Sequence, residues 1–270
     1  MTDRKAIFIS GGGSGIGRAT AQLFAARGWF VGLGDVNAAG MAETAALLPA
    51  GASSQHLLDV RDLGQWRRAT DEFVAASGGR FDLLFNNAGI GSGGKWDDLD
   101  PEEADRLIDI NFRGVVNGIH AARPHLKKMP GSAIVNTGSA SGFYGTSGLS
   151  IYSATKFAVR ALTEALDVEF TPDGIIVRDI MPGFIDTPLL SRVVPGSNET
   201  SRDRVMAAGL EFTPVEQVAE AVWNAIHGDR VHTPVGKTAR RLAFTMRWLP
   251  GALRKRMKAA TGNGSLLGNQ

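Results

Sequence analysis

Short apolar runs alternate with amphipathic segments along most of the chain. The first apolar run, residues 5–9, precedes a segment with apolar or small side chains at positions 16, 19, 20, 23 and 24. This spacing predicts a helix with one inward face. A second apolar run, residues 30–33, leads to Asp35. The chain therefore begins with a predicted strand, helix and strand.

The same alternation continues to about residue 235. Further helices are predicted over residues 37–48, 62–77, 101–129, 152–170 and 214–227, and further strands over residues 54–58, 81–85, 133–136, 175–180 and 231–235. The strands are interpreted as continuous apolar runs, which are typical of a parallel sheet covered on both faces. The predicted fold class is α/β, with a doubly wound, mostly parallel sheet of about seven strands and helices on both faces.

A glycine-rich turn, residues 10–17, joins the first predicted strand to its helix. Glycines allow the backbone to approach a pyrophosphate, whose charge the helix N-terminus stabilises. Asp35 lies eighteen residues after Gly17, where a carboxylate can accept hydrogen bonds from an adenosine ribose. Together these features predict nucleotide binding at the carboxyl ends of the strands.

Composition excludes several classes of site. The chain has 270 residues, of which 43% are hydrophobic and 21% charged, values typical of a soluble globular protein with a sizeable core. It has no cysteine, which excludes disulfides, thiolate metal sites and cysteine nucleophiles. No HExxH pair or serine nucleophile elbow is present, so neither a metal site nor a serine hydrolase is predicted. No signal peptide or membrane-spanning run is visible, and we expect a cytoplasmic protein.

Tyr152 and Lys156 lie four residues apart, on one face of a predicted helix. A nearby ammonium favours the phenolate and can lower the pKa of a tyrosine from its usual value of about 10. Such a phenol can exchange a proton with a substrate. Alone, the pair also fits a solvated or packing role.

Several motifs occur in the order and spacing of a known family. Residues 10–17 match TGxxxGxG with Ser10 in place of Thr, residues 86–89 read NNAG, and residues 182–187 match a PG motif followed by Thr. Tyr152 and Lys156 match YxxxK. The chain resembles the short-chain dehydrogenase/reductase family, motif by motif over about residues 4–190 and more loosely to about residue 235. The resemblance implies a Rossmann-type fold and an oxidoreductase that interconverts a secondary alcohol and a ketone.

The resemblance also implies catalytic roles for four residues. Tyr152 would be the general acid in carbonyl reduction and the base in alcohol oxidation. Lys156 would lower the pKa of that phenol and bind the nicotinamide ribose. Ser139 would hold the substrate oxygen. Asn111 would hold a water that links Lys156 to solvent.

A cofactor site follows from the same resemblance. Asp35 would repel the extra phosphate of NADP, and neither Val36 nor the glycine turn supplies a basic residue, so NAD is expected rather than NADP. The residues expected to bind it are Gly11, Gly13, Ser14, Gly15, Ile16 and Gly17 at the phosphates, Asp35, Asp59, Val60, Asn87, Ala88 and Gly89 at the adenosine, and Tyr152, Lys156, Pro182, Gly183, Ile185 and Thr187 toward the nicotinamide.

Beyond the cofactor motifs, residues 188–212 match the family's variable substrate loop. Phe143, Tyr144, Phe184 and Leu190 are expected to form an apolar pocket wall, which favours a hydrophobic alcohol or ketone. Residues 1–235 are predicted to form one NAD-binding catalytic domain that includes this loop. Residues 236–270 are predicted to form a helical extension of the same domain.

The extension belongs to a basic C-terminal region. From Arg230 onward the chain has nine Lys or Arg residues and no acid, whereas the preceding residues hold 20 basic and 27 acidic side chains, a net charge of −7. Leu242, Met246 and Leu249 are expected on one helical face. We expect this helix to pack over the substrate loop or a neighbouring subunit. The alternative is peripheral membrane contact, because the segment is basic, amphipathic and contains Trp248. Residues 262–265 are expected to be disordered.

Other functions remain open at this point. One is an NADPH-dependent carbonyl or ketoacyl reductase, which Asp35 disfavours, and another is a non-catalytic NAD(H)-binding sensor. Nucleic-acid binding has only the basic tail in its favour and is not predicted. A homodimer or homotetramer is expected from the resemblance. Neither the substrate nor the physiological direction follows from these residues.

Overall fold

A computed structural model of the protein describes residues 4–191, 198–207 and 209–262. These residues contain a seven-stranded sheet in the order β3-β2-β1-β4-β5-β6-β7, and every neighbouring pair is parallel. The strands are β1 (Ala6–Ser10), β2 (Phe30–Asp35), β3 (Ser53–Leu57), β4 (Leu83–Asn86), β5 (Ala133–Thr137), β6 (Ile176–Pro182) and β7 (His232–Val235). The predicted doubly wound parallel sheet is confirmed.

Helices cover both faces of this sheet. They are α1 (Gly15–Ala26), α2 (Ala38–Ala46), α3 (Leu63–Ala76), α4 (Pro101–Ile108), α5 (Gly114–Leu126), α6 (Ser150–Glu169), α7 (Ser201–Ala207), α8 (Val215–Ala225), α9 (Lys237–Trp248) and α10 (Pro250–Gly262). One apolar core includes Phe24 and Val222 of α1 and α8, and the other includes Trp66 and Ile119 of α3 and α5. The sheet between them buries apolar side chains on both faces, as the continuous runs in its central strands require.

The order of connections places a crevice beside β1. The chain leaves β1 toward β2 on one side, and β4 pairs with β1 on the other. Ligands of such sheets bind where the strand order reverses, beyond the carboxyl ends of the strands. Because Ser10 and Asn86 end these two strands, the glycine turn and the NNAG motif meet at this point.

The two edge strands differ from the predicted apolar pattern. In β3 (Ser53–Leu57) only His56 is buried, and in β7 (His232–Val235) only Val235 is buried. The interpretation as a continuous apolar run is therefore wrong for β3. An edge strand pairs on one side only, so it can carry polar side chains toward solvent.

The single helix predicted over residues 101–129 is divided in the structure. A five-residue π-helical turn, Asp109–Arg113, separates α4 from α5. Such turns widen the helix locally and occur frequently at functional sites. Asn111 lies within this turn, with only 1% of its surface exposed.

The C-terminal extension forms α9 and α10, and the three side chains predicted to lie on one helical face differ in their exposure. Leu242 is half-buried, whereas Met246 and Leu249 are exposed at 36% and 54%. Burial comes instead from Ala239 and Leu253. The division between residues 1–235 and 236–270 stays a prediction, and the predicted disorder concerns residue 262, at the end of α10, and residues 263–265, which lie outside the described residues. No helix within the described ranges is long and apolar enough to cross a membrane.

Candidate active site

The glycine turn between β1 and α1 is closely packed. A Cβ added to Gly17 would lie 2.1 Å from the carbonyl oxygen of Gly11, so no other residue fits there without moving the backbone. Gly11 and Gly15 have φ angles of +70° and +51°, which favour glycine. The turn therefore brings bare backbone to the N-terminus of α1, which is the geometry that a pyrophosphate requires.

Asp35, at the end of β2, is hydrogen-bonded to the glycine turn. Its Oδ2 accepts from the backbone N–H of Gly13 at 2.9 Å, and its Oδ1 accepts from the N–H of Asn37 at 2.9 Å. The carboxylate also lines the cleft. Its negative charge is therefore held beside the phosphate-binding backbone, where it can accept ribose hydroxyls.

Arg18 is a basic residue next to this region that sequence reasoning did not single out. Its guanidinium donates to the carbonyl oxygen of Gly13 at 2.7 Å and forms an ion pair with Glu43 at 2.7 Å. It also donates to the hydroxyl of Thr44. These partners hold Arg18 behind the glycine turn. The motif spacing could not show this, because Glu43 lies 25 residues away along the chain.

Ser10, which stands where the motif has Thr, joins the glycine turn to the next strand. Its hydroxyl accepts from the backbone N–H groups of Asn87 and Ala88 at 3.0 and 3.1 Å. The amide of Asn87 donates in return to the carbonyl oxygen of Ser10 at 3.0 Å. Since only the hydroxyl is needed for these contacts, the Ser-for-Thr replacement preserves the arrangement.

At the expected adenine end, Asp59 and Val60 both line the cleft. Arg61 contacts both carboxylate oxygens of Asp59, with its Nη2 2.6 Å from Oδ2. Hydrogen bonding from Arg61 lowers the pKa of Asp59. An adenine amino group would therefore meet a carboxylate that is already shared with an arginine.

Asn111 is held by the backbone of Ile90. Its Oδ1 accepts from the Ile90 N–H at 2.8 Å, and its Nδ2 donates to the Ile90 carbonyl oxygen at 2.9 Å. Both ends of the amide are thus occupied, and Nδ2 also approaches the Thr155 hydroxyl at 3.5 Å. The side chain fixes the segment after the NNAG motif. The predicted water contact stays a prediction.

Tyr152 lies on the first turns of α6 and faces Ser139, which follows β5. Burial raises the pKa of the Tyr152 phenol, and a hydrogen bond with the Ser139 side chain lowers it. The Ser139 hydroxyl also accepts from the N–H of Ser141 at 3.1 Å. Ser139 is 8% exposed and both side chains line the cleft. A proton donor and a second hydroxyl therefore point at one location.

The Lys156 ammonium lies over the ring of Tyr152. Its Nζ lies 5.7 Å from the ring centroid and donates to the Thr137 carbonyl oxygen at 2.8 Å. Burial lowers the pKa of Lys156 to about 8, opposed by the negative charge of Asp179. At Tyr152 burial outweighs the Ser139 hydrogen bond, and the expectation that Lys156 lowers the pKa of this phenol stays a prediction.

A buried ionic network behind Lys156 was not predicted from the sequence. Asp179 of β6 is fully buried, and its Oδ2 contacts Nδ1 of His232 on β7 at 2.9 Å. Nε2 of His232 contacts Glu164 of α6 at 2.7 Å. Burial raises the pKa of Asp179. Burial alone would lower the pKa of His232. The hydrogen bond and negative charge of Asp179 and the hydrogen bond with Glu164 have the larger combined effect, so the pKa of His232 is raised.

One cleft of about 1750 Å³ joins these parts. Of the predicted site residues, it is lined by Gly11, Ser14, Gly15, Ile16, Asp35, Asp59, Val60, Asn87, Ala88, Gly89, Ser139, Tyr152, Lys156, Pro182, Gly183, Ile185 and Thr187. Gly13, Gly17 and Asn111 are not part of the lining and support it through the contacts described above. The sequence therefore predicted residues that the fold brings together.

The far end of the cleft differs in part from the predicted apolar wall. Phe184 and Leu190 line it, but Phe143 and Tyr144 do not. Phe143 is buried beneath the Arg160 guanidinium, 5.3 Å from its ring centroid. The apolar lining comes instead from the substrate loop and the extension, through Val205, Leu210, Leu242, Leu249, Leu253 and Met257. Residues 192–197 and 208 of the predicted loop lie outside the described residues.

The residues present fit a nicotinamide dinucleotide. The fit rests on the glycine backbone that a Cβ would obstruct, on the α1 N-terminus, and on a carboxylate held at the end of β2. In the part of the chain that the structure describes, no group of three or more His, Cys, Asp or Glu side chains is arranged to hold a metal ion.

Comparison with known proteins agrees with this geometry. The family model for the short chain dehydrogenase matches residues 5–198. The chain belongs to the short-chain dehydrogenase family. The match covers the glycine turn, the NNAG motif and the Tyr152–Lys156 pair, so the predicted family is confirmed.

Individual members of the family differ in what they act on. The chain is 37% identical over 200 residues to a 3-alpha-(or 20-beta)-hydroxysteroid dehydrogenase of Mycobacterium tuberculosis, covering 74% of this chain and 76% of the relative. It is 34% identical over 260 residues to the probable oxidoreductase EphD of the same organism, covering 92% of this chain. It spans only 44% of the length of EphD.

Solved structures share the fold. A short-chain dehydrogenase/reductase from Burkholderia phymatum in complex with NAD is 29% identical, with a TM-score of 0.79, covering 93% of this chain and 95% of that one. Other solved structures of similar fold hold NAD or NADP. The family is thus shown, whereas the choice of cofactor depends on residues particular to this chain.

Proposed function

We propose that this short-chain dehydrogenase interconverts a secondary alcohol and a ketone with NAD, on a substrate with a hydrophobic body. The observation that carries the proposal is the convergence of Tyr152, Ser139 and Lys156 on the same cleft as the glycine turn. A non-catalytic NAD(H) sensor would not need these three side chains together. The apolar far end of the cleft supports a hydrophobic substrate.

Each side chain has a chemical task in this proposal. The Tyr152 hydroxyl gives a proton to the carbonyl oxygen in reduction and takes it from the alcohol in oxidation. The Ser139 hydroxyl donates a hydrogen bond to the same oxygen, where negative charge develops. When bound, the nicotinamide supplies or accepts the hydride.

Lys156 and Asn111 act on this centre from behind. The Lys156 ammonium opposes the effect of burial on the Tyr152 phenol, because a positive charge favours the phenolate. Its position depends on the Thr137 carbonyl oxygen, 2.8 Å away. Asn111 positions the segment at Ile90 through two hydrogen bonds, at 2.8 and 2.9 Å. We propose that a water in this region connects Lys156 to solvent.

The reaction is tested with the purified protein, NAD and a panel of secondary alcohols that differ in apolar size. We expect NADH to form with bulky cyclic or long-chain alcohols and to be consumed with the corresponding ketones. Absence of turnover throughout such a panel, with NADH binding intact, would favour the sensor. We also propose that the protein is a homodimer or homotetramer in the cytoplasm, and light scattering on the same sample measures its oligomeric state.

Cofactor preference is the second test. We expect NADH to bind at least tenfold more tightly than NADPH, a difference of about 1.4 kcal/mol. The reason is that Asp35 faces the cleft and is held by the N–H groups of Gly13 and Asn37, which leaves its charge beside any 2′-phosphate. Fluorescence titration of both cofactors measures the ratio.

The control for this test is Asp35→Asn. Asparagine keeps an oxygen acceptor but removes the charge, so the preference for NADH should shrink toward parity, mainly through tighter NADPH binding. Glu43→Gln removes a carboxylate that pairs with Arg18 on the other side of the glycine turn, and it should leave the ratio high. Equal affinities in the unmodified protein would show that Asp35 does not select against NADP, and tighter binding of NADPH would favour the NADPH-dependent reductase.

A further inference from the structure

The outward face of α9 combines cations with exposed aromatic rings. Arg240, Phe244, Arg247 and Trp248 lie along one side of the helix, at the i, i+4, i+7 and i+8 spacing. Phe244 and Trp248 are each 62% exposed, and the Arg247 guanidinium lies 5.3 Å from the Trp248 ring centroid. We call these four residues the α9 outer face. None of the four lines the cleft.

The opposite side of α9 faces the cleft and the body of the protein. Thr238, Leu242 and Thr245 line the cleft, and Ala239 is fully buried. This side of the helix therefore forms one wall of the cleft. Contact with the cleft does not account for the two large exposed rings, Phe244 and Trp248, on the other side of α9.

The charge around the α9 outer face has one sign. Residues 237–262 contain eight Lys or Arg side chains and no Asp or Glu. Among the described residues, only Lys237 of these eight is paired with a carboxylate, that of Glu211 at 3.0 Å. Arg254, Lys255 and Lys258 of α10 are exposed and extend the positive surface. Such a surface is complementary to a dense layer of negative charge.

We propose that the α9 outer face binds the surface of an anionic phospholipid membrane, with the cations of α9 and α10 at the headgroups. Trp and Phe beside Lys and Arg are typical of helices that lie in the interface plane. Anionic lipids attract each cation near their surface, so several unpaired ones act together. This docking is independent of the proposed function, although it would place the mouth of an apolar cleft beside a store of hydrophobic substrate.

A second copy of the chain fits this face less well. A two-fold interface brings the same patch of both subunits together. Here it would place the Arg240 and Arg247 side chains of each copy against cations of the other, without a carboxylate in residues 237–262 to separate them. Like charges in contact oppose such an interface.

The test is cosedimentation of the full chain with lipid vesicles. We expect binding to vesicles of phosphatidylcholine containing phosphatidylglycerol, little binding to phosphatidylcholine alone, and weaker binding as salt is raised. Arg240→Gln combined with Arg247→Gln should lower the partition coefficient by about tenfold or more. Phe244→Ser combined with Trp248→Ser should also release the protein, and neither pair should change turnover of a soluble substrate.

A matched control removes the same charge elsewhere. Arg67→Gln combined with Arg68→Gln removes two exposed cations of α3 and should leave vesicle binding unchanged. Equal loss in this control would show attraction by net charge alone and overturn the proposal. Failure of the unmodified protein to bind anionic vesicles would also overturn it. So would dissociation of an oligomer by the α9 substitutions, or binding to duplex DNA in preference to vesicles.

Discussion

Replacement of Tyr152 by Phe should lower kcat by about 10²- to 10⁴-fold, the range that a positioned general acid or base contributes. The substitution removes the hydroxyl that interacts with Ser139 and keeps the ring on which Lys156 lies. Because the ring stays, NADH should bind with unchanged affinity. Steady-state rates with the best alcohol of the panel, together with an NADH titration, separate the two effects.

The chain offers a matched control for this substitution. Tyr144 is the other of the two tyrosines in the chain and does not line the cleft, so Tyr144→Phe should leave kcat unchanged. Equal turnover by Tyr152→Phe and the unmodified enzyme would contradict the assigned proton transfer. A parallel loss in both variants would point to a general effect on folding instead.

The fold and the cofactor side of the cleft could be predicted because their signals are local. The glycine turn, Asp35 and the NNAG residues each follow a strand, and parallel strands bring their carboxyl ends to one edge. The spacing of Tyr152 and Lys156 also placed both on one helix face. Such features need no knowledge of distant contacts.

Asn111 and Lys156 show where local reasoning ends. Asn111 reaches the backbone of Ile90, 21 residues away, from a π-helical turn that no spacing rule specifies. For Lys156, the sequence indicated a charge that lowers the pKa of Tyr152. Burial raises the pKa of the phenol, and burial depends on the whole packed fold, which spacing along the chain does not show.

In the C-terminal extension, too, the sequence predicted only part of what the structure shows. Helical periodicity grouped Leu242, which lines the cleft, with Met246, which is 36% exposed and does not line the cleft. A periodic pattern shows which side chains share one side of a helix, but it does not show which surface that side packs against. The buried positions, Ala239 and Leu253, are instead set by contact with the body of the domain.

The network behind Lys156 predicts the second large effect. Replacement of His232 by Ala would leave Asp179, which is fully buried, without the imidazole that contacts it. Removing one partner of a buried pair costs about 3–5 kcal/mol. Oδ1 of Asp179 has no hydrogen-bond partner among the described residues, so the carboxylate depends on the contact that His232 makes with Oδ2. Urea unfolding at a fixed protein concentration measures the loss.

The loss of stability caused by His232→Ala should decrease as the pH rises. The raised pKa of His232 means that the folded protein holds this proton more tightly than the unfolded chain, so the stabilisation is complete below the ordinary value of 6.5 and is lost as pH rises through the raised value. The destabilisation by His232→Ala should therefore be larger at pH 6 than at pH 9.

Two further variants distinguish the buried pair from its exposed neighbour. Asp179→Asn combined with His232→Ala removes the unpaired charge and should recover part of the lost stability. Glu164→Gln should cost no more than about 1 kcal/mol, because the Glu164 side chain is 52% exposed and surface pairs contribute little. If the double variant is as unstable as His232→Ala, or if the loss is equal at both pH values, packing by the imidazole rather than its charge supports β6 and, through it, the position of Lys156.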